Sequence, residues 1–466
     1  MSLEFNGTEG VFDSGRSAGV YDMNLFYDSG NLAWITVCSA LVLLMIPGVG
    51  FFYAGLARRK SALSLIFMCM MSIAVIGFQW FFWGYSLTFS HTGSKFLGDL
   101  SNFGLKNVVA HPSVGTDALP DILFCLYQGM FASITPALAM GAIADRGRVL
   151  PAMVFIFIWG TVVYDPIAYW SWNGNGWLFQ LGSLDFAGGT PVHISSGVAA
   201  LAYALMLGRR NGYDKVRGLP YRPHNVTHVV LGTVFLWVGW FGFNGGSALA
   251  SNIRAVMACY VTNLAACIGG IAWTLLDFRL EGKWSTIGFC SGAISGLVAI
   301  TPAAGFVTPW GAFVIGLCGG IFCNFATKLK FLIGVDEALD VFAVHGIGGI
   351  VGNLLTGIFA APYIANLDGS DPIEGGWINR HFIQLGYQLA GTTAGFAWSF
   401  VVTCIILFLM NLVPGLSLRV KVDEEELGLD DCQLGEFAYD YVELRRHPGD
   451  ALSGNTTSHA STEKIV

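Results

Sequence analysis

Charge is the scarcest commodity in this 466-residue sequence: Asp, Glu, Lys and Arg together make up only 12% of it. A soluble chain carries about 25%, so an ordinary soluble domain is excluded. The net charge of −7 is drawn largely from acidic termini, and no basic tract or aromatic–basic pattern points to nucleic acid. A Walker A loop is missing, which removes ATP-driven pumping. There is no nucleophile motif, so enzyme chemistry has nothing to start from. The ten cysteines form no CxxC pair and no Cys/His cluster with ligand spacing, which argues against a metal centre, a disulfide scaffold and any cofactor held by thiolates. Nine of them lie inside apolar stretches and read as small hydrophobes; Cys432 alone falls near the C-terminal end. Residues 1–31 are polar and acidic, without the basic-then-apolar order of a cleavable leader, so the first apolar stretch is expected to be a retained span.

Apolar residues account for 54% of the chain, mean hydropathy is +0.59, and there are 60 glycines. Small residues in an apolar background allow helices to approach closely in lipid. Segments approximating the ~20 residues that cross ~30 Å of hydrocarbon recur at about 32–57, 61–90, 120–143, 150–172, 187–207, 226–246, 254–278, 286–302, 310–327, 339–362 and 382–413. The expected fold is therefore an all-α integral membrane protein with eleven transmembrane helices. It divides into an extracellular segment (1–31), a membrane domain (32–413) and a polar cytosolic C-terminal tail (414–466).

Orientation follows from Lys and Arg, which favour the cytosolic side. An outside N-terminus leaves only Arg16, Lys95, Lys106, Arg254 and Arg380 on the outer face, out of 24 Lys and Arg. An odd number of spans then puts the C-terminus inside. Of the glycosylation sequons, Asn6-Gly7-Thr8 would face outside, whereas those at Asn225 and Asn455 would be cytosolic and unmodified.

Two histidines, His193 and His345, fall well inside the fifth and tenth segments, at matching depth. If segments one to five and six to ten are two halves, their odd number makes them inverted repeats meeting at mid-membrane. An ionisable side chain in a span is a functional hypothesis by default; the plainer reading is an imidazole bonded to a neighbouring helix. Trp172, near the outer end of the fourth segment, suits an interfacial belt. Phe131 and Phe243 read as ordinary packing. Asp185 suits a helix cap, and Asp165, deep in the fourth segment, a paired or helix-end carboxylate.

The run Asp185-Phe186-Ala187-Gly188-Gly189-Thr190-Pro191-Val192-His193 resembles the signature of the Amt/Mep/Rh ammonium transporter family. So do Gly50 to Arg59 (GFFYAGLARR), Tyr127 to Ser133 (YQGMFAS), Trp240 to Ala248 (WFGFNGGSA) and Asp340 to Gly357 (DVFAVHGIGGIVGNLLTG). The resemblance covers about residues 30–440, and these motifs are specific in combination. The long N-terminal segment with its sequon, the extended tail and a His at 193 most resemble the fungal high-affinity, sensor-type Mep permeases.

What the resemblance implies is concrete. The subunit would have eleven helices with a pseudo-twofold repeat and would assemble as a homotrimer in the plasma membrane, with one pore per subunit. Trp172 and Ser247, with Phe131 close above the pore and Asp185 supporting from behind, would recruit ammonium. Phe131 and Phe243 would form the gate, and His193 with His345 the twin-His pair lining the pore. Ammonium would lose a proton, pass the pair as ammonia and recombine inside; methylammonium would serve as an analogue. The family also implies a sensing role, and an ammonium receptor with little transport is the alternative. Gly428 to Tyr439 resembles the family's docked C-terminal segment. Beyond it, Ser453 is the first candidate for phosphorylation by a cytosolic kinase, an event that adds about −1.5 to −2 charges.

Overall fold

The computed structural model describes residues 23–213, 222–369 and 372–439. Asn6 and Ser453 lie outside the described residues. Among those described, the backbone is helical, with isolated bridges and no strand. Eleven apolar helices follow in order: α1 (Ser29–Leu56), α2 (Arg59–Phe89), α3 (Asp121–Ile143), α4 (Val149–Leu181), α5 (Gly189–Leu207), α6 (Val226–Gly246), α7 (Ile253–Glu281), α8 (Thr286–Ile300), α9 (Pro309–Ile333), α10 (Phe342–Phe359) and α11 (Gln384–Leu412). All but α8 are long and apolar enough to cross a membrane. The eighth segment, expected over 286–302, has only 15 helical residues, because the chain turns at Thr301–Phe306.

Local chemistry sets the helix starts. Asp28, Asn225, Asn252, Ser285 and Thr308 each accept a backbone N–H of the first turn of α1, α6, α7, α8 and α9, satisfying donors that a helix leaves open. Wide π-turns interrupt α2 and α4, at Trp80–Gly84 and Gly160–Tyr164, and open α5 and α10, at Gly189–Ile194 and Phe342–Ile347. Such turns concentrate at functional sites.

Close approach between helices rests on glycine. Gly197 of α5 meets Gly346 of α10 so tightly that a Cβ on Gly197 would lie 2.2 Å from the Gly346 nitrogen. That crossing brings the two histidine-bearing turns together.

One end of the bundle is strongly charged. Asp145 forms an ion pair with Arg58, Nε at 3.1 Å, and accepts from Arg210 Nη1 at 2.9 Å, while Asp336 accepts from Arg210 Nη2 at 2.7 Å. Burial alone would raise both carboxyls; Arg58 and Arg210 at Asp145, and Arg210 at Asp336, hold them below the usual range. Against this end docks the segment after α11. Its short helix α12 (Val422–Leu427) presents Glu425, which accepts from Asn211 N at 2.6 Å and from Arg419 Nη2 at 2.7 Å. Asp430 accepts from Leu63 N and Ser64 N at 3.0 and 2.8 Å, capping α2 from outside. Tyr439 closes the contact, its hydroxyl 3.1 Å from His224 Nε2 and 3.0 Å from Asn225 Nδ2.

Candidate functional site

At the end of the bundle opposite the charged network, α4 carries Trp172, whose indole N–H donates to the Asp185 carbonyl at 3.0 Å. The ring stands edge-on to Phe131 of α3, centroids 5.9 Å apart at 86°. Phe131 in turn lies 4.3 Å from Phe243 of α6, and both rings are buried. Phe243 stacks toward His193, centroids 5.9 Å apart at 23°. His193 meets His345 with their Nδ1 atoms 3.2 Å apart. Beyond His345 an apolar cavity of about 20 Å³ is walled by Val49, Phe52, Tyr53, Leu236 and Val341, room for one water-sized molecule.

His193 and His345, both buried, stand in the π-turns that open α5 and α10. Ser247 caps the C-terminus of α6, donates to Phe243 O at 2.8 Å, and lies 3.4 Å from the Tyr127 hydroxyl. Tyr127 packs against Phe131 with centroids at 5.0 Å, so Ser247 joins the aromatic group through Tyr127. Asp185 acts as a cap: its carboxylate accepts the N–H groups of Gly188, Gly189 and Thr190 at 2.6–2.8 Å. Trp170, two residues from Trp172, is engaged elsewhere, donating to Phe96 O at 2.7 Å. Asp165 is fully buried and accepts from Gln79 Nε2 at 2.6 Å.

The tautomers at the histidine pair are constrained by one another. Two neutral imidazoles can share the 3.2 Å contact only if one Nδ1 donates and the other accepts. The donor ring then keeps a lone pair on Nε2, and the acceptor ring keeps an N–H there. The pair thus offers a guest one acceptor and one donor. His193 Nε2 is buried and has no protein partner. Among the described residues, no group of three or more His, Cys, Asp or Glu could hold a metal ion.

Two contributors were not singled out in the sequence. Trp240 stacks on His193, centroids 5.4 Å apart at 23°, and is anchored by its Nε1–H to Thr301 Oγ1 at 2.9 Å. Glu337 accepts the N–H groups of Leu339, Val341 and Phe342 ahead of α10. Trp240 opens one of the quoted motifs. Glu337 precedes His345 by the same eight residues that separate Asp185 from His193, a spacing that could have found it.

The fold and site define a polytopic helical membrane protein with a file of contacting rings in its interior. The chain belongs to the Ammonium Transporter Family, whose family model matches residues 33–439. It is 60% identical over 436 residues to ammonium transporter 1 of Schizosaccharomyces pombe, covering 93% of this chain and 87% of that one. It is 54% identical to the ammonium transporter MEP2 of Saccharomyces cerevisiae, over 94% of this chain and 89% of the relative. The crystal structure of Saccharomyces cerevisiae Mep2 superposes with a TM-score of 0.85 over 91% of this chain and 94% of that one, at 54% identity. That of Candida albicans Mep2 gives 0.83 at 55% identity, over 87% and 89%.

Proposed function

We propose that this protein takes up ammonium across a fungal plasma membrane, one pore per subunit of a homotrimer, by separating the cation into ammonia and a proton. The observation that carries the reading is the unbroken succession from Trp172 through Phe131, Phe243 and His193 to His345.

The physical chemistry suits this cargo. A desolvated cation over a Trp face gains about 2 kcal/mol or more, and Ser247 can accept a hydrogen bond that ammonium offers and potassium cannot. Trp172, Ser247 and Phe131 would form the recruitment site, with Asp185 behind it fixing the Trp172 partner carbonyl. Phe131 and Phe243 would be the gate. Carrying the intact cation through the bilayer centre costs roughly 2.5–3.5 kcal/mol or more; ammonia avoids that cost. The donor and acceptor that the twin histidines expose at Nε2 match the lone pair and N–H groups of ammonia, and a lone pair there can also take up the released proton.

In this reading α8 completes eleven spans, the N-terminus is outside and the charged end with its docked tail is cytosolic. Supporting the inverted repeat of α1–α5 and α6–α10, Asp185 and Glu337 cap the two histidine-bearing helices in the same way, and both histidines sit on π-turns. Phosphorylation at Ser453 would move the tail and open the pore.

Expression in cells that lack ammonium uptake tests the proposal. Growth on low ammonium and accumulation of labelled methylammonium are expected. A chain that reaches the plasma membrane and restores neither would be a receptor rather than a transporter.

A further inference from the structure

Arg254 is a buried cation at the start of α7, only 4% exposed. Its guanidinium carbon lies 5.1 Å from the centroid of Phe186 and 5.2 Å from that of Phe306. Its Nε donates to Gly305 O at 3.0 Å, and Nη1 lies 3.4 Å from Asp368 Oδ2. Asn252, the α7 cap, also donates to Asp368 Oδ2, at 3.3 Å. A guanidinium placed in this way ties together α7, the turn after α8, the segment ahead of α11 and the Asp185–Phe186 turn.

The last of these reaches the outer site. Phe186 follows Asp185, whose carbonyl receives the Trp172 indole N–H. The Asp185 carboxylate fixes one side of that peptide unit through three N–H groups of α5. Phe186 fixes the other. Its N–H donates to Pro302 O at 3.0 Å, and its ring packs edge-on against Phe306, centroids 5.5 Å apart. The ring also fills the hollow over Gly305, where a Cβ would stand 2.0 Å from a ring atom. Arg254 covers that ring and holds the Gly305 carbonyl beside it. Without the guanidinium, the Phe186 ring loses its cationic partner, and that side of the turn that aims Trp172 is left to the Pro302 hydrogen bond and the packing on Phe306.

We propose that Arg254 is a positioning residue for cation recruitment: through its cation–π contact with Phe186 it holds the Asp185 carbonyl in the place that orients the Trp172 indole. The inference rests on the reading of Trp172 as part of the recruitment site. Because Arg254 acts on orientation and contacts neither histidine, its removal should weaken capture of the cation and leave the rate of passage alone.

The test is labelled-methylammonium uptake in cells lacking their own transporters, with KM and Vmax normalised to surface protein. Arg254→Gln and Phe186→Leu are each expected to raise KM about three- to tenfold, in line with loss of one buried cation–π contact, with Vmax per surface molecule within about twofold of wild type. Combining them should add little, since both cut the same link. Arg254→Lys, which keeps the charge beside Asp368 but not the planar face and the Nε donor, should fall between. Should Arg254→Gln fail to reach the surface, Phe186→Leu decides alone. A fall in Vmax with unchanged KM, or fully additive effects, overturns the proposal. Trp172→Leu run in parallel separates the two ideas: if its KM is unchanged, the recruitment reading itself fails.

Discussion

Asp185 and Glu337 stand eight residues ahead of His193 and His345 respectively, and each accepts three backbone N–H groups at the start of a histidine-bearing helix. A carboxylate at a helix N-terminus satisfies open donors and complements the helix dipole. Here the two caps also set where α5 and α10 begin, and so where His193 and His345 project. The pair is thus the product of two matched helix starts converging on one glycine crossing.

That crossing has no slack. Gly197→Ala would put a Cβ 2.2 Å from the Gly346 backbone nitrogen, a clash that only separation of α5 and α10 relieves. Transport is expected to fall at least tenfold, equivalent to about 1.4 kcal/mol or more, with a lowered melting temperature in detergent. Gly77→Ala, in an open position of α2 with nothing within 4 Å, should be neutral or slightly stabilising. Uptake assays and thermal melts of the two variants check this, and equal behaviour would contradict the packing argument.

The charged end should respond to acid. Asp145 and Asp336 titrate below the ordinary aspartate range when folded, held there against burial by Arg58 and Arg210. A depressed folded value means that the unfolded chain takes up protons first, so their contribution is complete above the unfolded value near 3.9 and is lost as pH falls further. Purified protein should therefore lose thermal stability steeply below about pH 4. Asp145→Asn should cost roughly 3–5 kcal/mol at neutral pH by leaving Arg210 and Arg58 short of a buried partner, and should flatten the acid limb. Melting temperatures from pH 3 to 7 provide the check.

Topology has a covalent readout. Asn6 is expected to carry a glycan and Asn225 none, so Asn6→Gln should abolish the endoglycosidase-sensitive mobility shift. A shift that survives Asn6→Gln and disappears in Asn225→Gln would invert the protein.

Regulation through the tail predicts that Ser453→Asp transports faster than Ser453→Ala at equal surface level. Identical uptake by the two would make that position passive.

Much of this was legible in the sequence because lipid leaves a chain few options. Helical spans must be apolar, so the approximate limits of the ten helices long enough to cross could be read from runs of Leu, Ile, Phe and Gly, with α8 the exception. Its length is set by the turn at Thr301–Phe306, which hydropathy does not register. The site was legible only through motifs. Periodicity alone reads Phe131, Phe243 and Trp172 as packing or belt residues, because it does not register that α3, α4 and α6 bring the three rings into contact. The stacking of Trp240 on His193 is hidden for the same reason, whereas Glu337 was open to discovery by its spacing from His345. Asp165 had no partner in view until α2 delivered Gln79 to it.

The most direct measurement is current across liposomes containing purified protein, with ammonium, methylammonium and potassium compared in turn. The account predicts an ammonium-dependent current in the wild type with none for potassium. In His193→Ala/His345→Ala the ammonium current should vanish, or potassium should now be carried. An ammonium current of unchanged size and unchanged selectivity in that double variant would contradict the account.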